Sequence, residues 1–221
     1  MPSNLSFNEA ASIPLAGLTA YQSLVDVAKL SPEEHILIYA GSGGVGTIAI
    51  QLAKHLGAYV TATTSTRNVN MVKELGSDKV IDYTEENFEE LGGQFDVVYD
   101  TLGGEYTLNS FKVLKPGGRV VSIAGVLDEI TAQQLKLNRF IRFLLALKAK
   151  KVTNAASKSE ASYRFLLMFP NGGQLKKLSE MYESEKIKPV IDKTYPFEES
   201  IQAIKYLSEG HAKGRVVVKM L

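Results

Sequence analysis

The residues with the clearest chemical meaning in this chain are glycines. Gly41-Ser42-Gly43-Gly44-Val45-Gly46 has the spacing G-x-G-x-x-G, which alone recurs by chance and is weak evidence. Its surroundings strengthen it. The run follows the apolar segment Ile36-Leu37-Ile38-Tyr39 and precedes Thr47 to Leu56, whose apolar spacing is helical, so it stands at a strand-turn-helix junction. There each glycine has its own use. Gly41 permits the tight turn, Gly43 lets the backbone approach a pyrophosphate with no Cβ in the way, and Gly46 lets the helix pack close to the strand. Gly44 and Val45 complete the turn at the helix N-terminus, where unpaired N–H groups and partial positive charge favour phosphate. The expected chemistry is dinucleotide binding. Three glycines that merely make a turn would not need this spacing.

The second set of residues decides between two dinucleotides. About 20 positions beyond such a motif an acidic side chain would bond a ribose 2′-hydroxyl. Between Ala58 and Val72 there is no Asp or Glu, while Ser65, Arg67 and Asn68 offer a hydroxyl, a guanidinium and an amide. A 2′-phosphate is a dianion, which a carboxylate repels and Arg67 can meet with charge-assisted hydrogen bonds. The expectation is NADPH. The competing reading of Arg67 is an ordinary exposed charge at a helix start.

Other chemistry is sparse. The chain has no cysteine, which removes disulfides, thiolate metal sites and a cysteine nucleophile. His35, His55 and His211 are too scattered to suggest a zinc cluster, and no metal is expected. No Ser-His-Asp arrangement or paired-carboxylate motif is present. Tyr21, Tyr83 and Tyr163 are possible proton donors by chemistry alone, although tyrosines more often serve as amphipathic packing residues. Hydride transfer asks little of side chains, because the nicotinamide carries the hydride and the protein supplies orientation and electrostatics.

The elements that position these groups alternate. His35 to Ala40, Tyr59 to Thr63, Lys79 to Tyr83, Phe95 to Asp100 and Arg119 to Ile123 read as short, continuously apolar strands separated by helix-like stretches. That order predicts an α/β fold with a doubly wound parallel sheet and helices on both faces. Gly57, Gly76, Gly92-Gly93, Gly103-Gly104 and Lys115-Pro116-Gly117-Gly118 fall between elements. Ahead of the first strand, Ser6 to Glu9 reads as a capping box with Leu5 placed to staple against Ala10, and a second helix is expected near Ala20 to Leu30. Past Gly125 the rhythm breaks. Residues 135–151 carry six positive and no negative side chains among Leu, Ile and Phe. A helix there is basic and amphipathic: its apolar side packs and its basic side is solvated, or else it meets a membrane surface or anionic partner. Tyr163 to Glu185 reads as helix, Lys188 to Asp192 as extended, Glu198 to Glu209 as a helix capped by Gly210, and Arg215 to Met220 as a closing strand.

With 221 residues, 45% hydrophobic and 22% charged, the chain can bury a substantial core, and a net charge of +1 argues against nucleic acid as partner. No apolar run approaches the roughly 20 residues of a membrane span, and the first residues lack the basic and apolar regions of a signal peptide, so the expected location is cytoplasmic.

At several places the residues resemble one family. Pro14 to Tyr21, Ala40 to Gly46, Val80 to Tyr83, Asp100-Thr101-Leu102-Gly103-Gly104, Leu114 to Gly118 and Ala212 to Val217 together are similar to the medium-chain dehydrogenase/reductases, and within them to the zinc-independent quinone oxidoreductase-like enzymes. The resemblance implies a six-stranded Rossmann sheet binding NADPH. It puts Gly43 to Val45 on the phosphates and Ser65, Arg67 and Tyr83 around the 2′-phosphate. It puts Thr19 near the nicotinamide, Leu102 beside the ribose, and Ile123-Ala124 with Phe165-Leu166 along the nicotinamide half. It implies hydride transfer to a quinone or an α,β-unsaturated carbonyl. It also implies a homodimer formed at a sheet edge, with Pro189-Val190-Ile191 or Arg119 to Ile123 as the candidate edges. In the zinc-dependent branch a thiolate lies near Leu15-Ala16, and neither residue is cysteine, which points to zinc independence. Family members also carry a GroES-like domain ahead of the segment where this chain begins. The expectation is therefore a truncated chain: a single dinucleotide-binding domain over 1–221, with a helical lead-in over 1–34, that binds NADPH but turns over little by itself.

Overall fold

Runs such as Ile36-Leu37-Ile38 have no polar side, so they are stable as strands only with both faces covered. In the computed structural model, which describes residues 1–220, this is their situation. Strands β1 (His35–Ile38), β2 (Tyr59–Thr64), β3 (Lys79–Asp82), β4 (Phe95–Asp100), β5 (Leu114–Ser122) and β6 (Ser162–Phe165) form one all-parallel sheet in the order β3-β2-β1-β4-β5-β6. Successive residues alternate between two core layers. Ile36, Ile38, Val97, Tyr99 and Val121 enter one, and Leu37, Val98 and Val120 the other. This is the doubly wound Rossmann architecture, with its switch point between β1 and β4.

The helices, in chain order, are α1 (Phe7–Ser12), α2 (Pro14–Tyr21), α3 (Gly46–His55), α4 (Val69–Glu74), α5 (Glu105–Val113), α6 (Glu129–Gln134), α7 (Arg139–Lys158), α8 (Gly172–Glu183) and α9 (Ser200–Ser208). Buried side chains of α2, α3, α4 and α8 close the first layer, and those of α5 and α7 the second. Two tyrosines sit among the central apolar residues with their hydroxyls satisfied. Tyr99 accepts from Ser23 Oγ at 3.2 Å, and the Tyr39 and Ser110 hydroxyls share a bond at 3.0 Å. Burial raises both phenol pKa values, so these groups stay neutral.

Several expectations are corrected. Tyr163 to Glu185 is not one helix: Ser162–Phe165 pairs in register with β5 as the sixth strand, and helix resumes only at Gly172 behind an Asn171 cap. The second helix begins at Pro14 rather than Ala20, with proline in its first turn where no N–H is needed, and it runs into a π-helical stretch over Gln22–Val27. Strand β5 takes in the Lys115–Gly118 run, with a register irregularity opposite Phe95 and Val97. Because β5 lies between β4 and β6, Arg119 to Ile123 offers no free edge. The capping box at Ser6 and Glu9 is present in full.

The closing strand stands apart from the main sheet. Strands β7 (Ile191–Pro196) and β8 (Arg215–Lys219) pair parallel to each other across α9, which is followed by Gly210 at φ +72°. Helix α1 packs against both. The basic segment folds as α7, opened by Asn138, whose side chain accepts from the Ile141 N–H at 2.9 Å. Among the described residues no helix is long and apolar enough to cross a membrane.

Candidate functional site

The glycine turn is built on the carbonyl of Ala40. This residue has φ +48°, and its N–H is held by Thr63 Oγ1 at 3.2 Å, while Gly41 donates to the Thr63 carbonyl at 2.8 Å. The Gly43 N–H returns to the Ala40 carbonyl at 2.9 Å, closing the turn. A Cβ at Gly46 would overlap that same carbonyl, and one at Gly41 would stand 2.9 Å from Ala62 Cβ, so both are packing glycines. A Cβ at Gly43 would meet only the Ala40 carbonyl, at 3.2 Å, so this glycine presents bare backbone to open space. The N–H groups of Gly44 and Val45 have no backbone partner among the described residues. The turn therefore offers free main-chain donors at the N-terminus of α3, the arrangement that binds phosphate.

The end of β2 is tied to this turn through Ser42. Thr64 Oγ1 donates to Ser42 Oγ at 3.0 Å and Asn68 Nδ2 at 3.1 Å, which fixes the short 3-10 turn Thr66–Asn68 beside the glycines. Asn68 is buried, yet its Oδ1 has no partner. A buried acceptor without a donor costs about 1–3 kcal/mol, and a ribose hydroxyl is the kind of donor it lacks. Arg67 is exposed, and among the described residues no carboxylate lies within ion-pair distance of it.

Gly43, Ser65, Arg67, Asn68, Tyr83 and Leu102 are brought together around one cleft of about 340 Å³ at the carboxyl ends of the strands. Leu102 owes its place to Asp100. That carboxylate is fully buried; it accepts from the N–H groups of Leu102 at 2.9 Å and Gly103 at 2.8 Å, from Ser122 Oγ at 2.8 Å, and from the Thr107 hydroxyl. Gly103, at φ +74°, passes so close to the Ala124 carbonyl that a Cβ would collide with it. The loops after β4 and β5 are thus locked side by side.

The other expected site residues lie elsewhere on the same end of the sheet or beneath it. Ile123 and Ala124 follow β5, and Phe165 ends β6 with Leu166 just after it, Ile123 and Leu166 being packed against the first core layer. Thr19 is buried in α2, and its hydroxyl donates to its own helix at Leu15, 2.7 Å away. Of the three tyrosines, Tyr21 is in the core and Tyr163 donates to the Val126 carbonyl at 2.7 Å; Tyr83 alone is exposed, at the cleft rim.

Two contributors escaped the sequence reading. Gly210, His211 and Ala212, after α9, complete the cleft wall. Gly214 pairs with Gly43, and the Arg215 side chain covers Gly44, where a Cβ would stand 2.9 Å from Arg215 Cδ. Arg215 Nε and the hydroxyl of Tyr182 are both buried without a partner, and burial lowers the arginine's pKa. A larger groove, about 610 Å³, lies between the N-terminal segment and α8, but its lining of Phe7, Ile13, Pro14 and Leu175 is mainly apolar, with few polar groups to orient a ligand.

Residues 75–218 match the family model described as zinc-binding dehydrogenase. The chain belongs to that family. It is 41% identical over 222 residues to the 2-methylene-furan-3-one reductase of Solanum lycopersicum, covering 98% of this chain and 48% of that protein. It is 37% identical over 221 residues to the chloroplastic NADPH-dependent alkenal/one oxidoreductase of Arabidopsis thaliana, with the same coverage. Among solved structures, the quinone oxidoreductase from Coxiella burnetii superposes with a TM-score of 0.82 at 33% identity, covering 99% of this chain and 62% of that one. The chain spans about half the length of these two curated relatives. The glycine turn precedes the segment matched by the family model and is covered by the relatives instead. The family description names zinc. Among the described residues no cluster of three or more His, Cys, Asp or Glu side chains fits a metal ion.

Proposed function

We propose that these residues form the NADPH-binding domain, with a helical lead-in over 1–34, of an oxidoreductase that delivers hydride to a quinone or to the β-carbon of an α,β-unsaturated carbonyl. The observation that carries the reading is the cleft itself. Bare backbone at Gly43 lines it on one side, in the same turn as the unpaired N–H groups of Gly44 and Val45, and Ser65, Arg67 and Asn68, whose buried Oδ1 lacks a partner, line it on the other. These residues fit a dinucleotide with a 2′-phosphate: main-chain donors for the pyrophosphate, Arg67 and Ser65 for the extra phosphate, and Asn68 Oδ1 for a ribose hydroxyl. The names of the two plant relatives support the same substrate class. NADPH supplies the hydride when bound. The chain's part is to hold and orient it, with Leu102 and the Ile123-Ala124 and Phe165-Leu166 segments along the nicotinamide half. Titration calorimetry with NADPH and NADH tests the reading: tight NADPH binding supports it, and no saturation with either dinucleotide removes it.

The openness of the cleft favours a second reading for the chain on its own. Leu102 is 44% exposed and Ala124 is exposed, so nothing among the described residues closes over the reacting end. Exposed Phe7, Leu15, Ile201 and Ile204 supply an apolar surface that a further domain of a longer protein would cover. On that reading the chain binds NADPH without turning it over. Absorbance of reduced nicotinamide in the presence of a small enone or quinone separates the two: steady oxidation supports the enzyme, and binding without oxidation supports the module. A homodimer belongs to the same proposal, formed through the outer edge of β6 or the free edge of β7, and sedimentation velocity tests it.

A further inference from the structure

Helix α7 turns its apolar side the wrong way for a helix packed on a core. Its buried residues, Ala149, Val152 and Ala156, lie in the second half and face α5, and Val152 and Ala156 join the second core layer. At 100° per residue, Phe140, Phe143, Leu144 and Leu147 fall on the opposite side, away from the body. Phe140 is 69% exposed, Phe143 61%, Leu147 53% and Leu144 44%. The helix carries six Lys or Arg and no Asp or Glu over its 20 residues. Arg142 is paired with Glu129 of α6. Arg139, Lys148, Lys150 and Lys151 have no carboxylate within ion-pair distance among the described residues, and they border the apolar stripe.

We infer that α7 is a peripheral membrane-docking helix that lies in the surface of an anionic phospholipid bilayer. An apolar stripe edged by unpaired cations, on a helix too charged to span a bilayer, is the pattern of an interfacial helix. Charge decides the occupant. A second copy docking α7 on α7 would bring like charges together with no carboxylate on either helix, whereas anionic headgroups complement them and the acyl region accepts Phe140 and Phe143. The stripe also lies across the sheet from α2 and α8, so it is separate from the apolar groove between the N-terminal segment and α8.

The test is co-sedimentation of the full 221-residue chain with vesicles of phosphatidylcholine alone and of phosphatidylcholine mixed with phosphatidylserine. The expected result is pelleting with the mixed vesicles only, reversed by high salt. Phe140→Ser combined with Phe143→Ser should weaken binding more than tenfold, and each of Lys148→Glu, Lys150→Glu and Lys151→Glu at least about fivefold. These side chains are exposed, so the variants should keep the wild-type circular dichroism and melting curve. Pelleting with neither vesicle, equal pelleting with both, or binding retained in the phenylalanine and lysine variants overturns the proposal. So does a concentration-dependent dimer that the phenylalanine variant abolishes, which would make a second copy the occupant.

Discussion

Gly214 donates its N–H to the carbonyl of Ser42 at 2.8 Å, so the closing segment of the chain is fixed across the glycine turn. The bond exists because Gly214 adopts φ +76°, where a Cβ would collide with the Val190 carbonyl. Gly214→Val should therefore release the Gly210–Ala212 wall. The left-handed backbone alone costs about 1–2 kcal/mol, and the clash with the Val190 carbonyl adds to it. A Tm loss of at least about 2–8 °C should accompany weaker NADPH binding, with the main sheet retained. Calorimetry and thermal melting of the same sample check both parts, and unchanged NADPH affinity would separate the closing segment from the cleft.

Gly43 and Gly46 should respond differently to the same substitution. Gly46→Val drives a side chain into the Ala40 carbonyl and should prevent folding, whereas Gly43→Val meets that carbonyl only at 3.2 Å and should leave a folded protein that binds neither dinucleotide. Retained binding by folded Gly43→Val would refute the phosphate assignment.

Arg67→Ala should weaken NADPH by about 1.5–3 kcal/mol, the range for hydrogen bonds to a charged group, and leave NADH nearly unchanged. Parallel titrations decide it, since equal losses for both would mean that Arg67 does not read the 2′-phosphate.

Acid should expose the ion pairs at the opposite end of the sheet. Burial pushes Glu34 up, but hydrogen bonds from Arg119 and the Ser31 N–H, with the Arg119 charge, outweigh it and hold the carboxyl below its ordinary value. For Asp96, burial also acts upward and is outweighed by Lys115 and the His35 N–H. A carboxyl with a depressed folded pKa stabilises the protein above its unfolded pKa, about 4, and loses that contribution as pH falls through the folded value. Arg119→Met should cost about 1–3 kcal/mol near neutrality. Its Tm deficit relative to the wild type should shrink below about pH 4, as Glu34 becomes protonated in both proteins. A constant deficit across that range would show that the lost packing of Arg119, not its charge, sets the cost.

What the sequence made legible was local. The five strands from His35 to Ile123 and the glycine turn depend on runs of neighbouring residues, and they appear within a few positions of where the pattern puts them. The position of the sixth strand is not legible because Ser162-Tyr163-Arg164-Phe165 lacks the apolar run of the central strands and is stabilised at the sheet edge by pairing with β5. The second lead-in helix starts ahead of the expected Ala20, at Pro14, where a proline is tolerated in a first turn. The cleft wall from Gly210 to Ala212 and the cover of Arg215 over Gly44 join residues more than 160 positions apart, and no periodicity carries that information. Whether the apolar stripe of α7 packs or is exposed stays open in the sequence, because amphipathicity reports that a helix has two sides, not which one meets the core.

Asp100 has a consequence for how substitutions combine. One carboxylate serves as the shared anchor of two loops, so damage to either partly forfeits the same bonds, and the second injury costs less than the first. Ser122→Ala and Thr107→Val in one molecule should thus be sub-additive by about 0.5 kcal/mol or more, making this end of the sheet a single mutational unit.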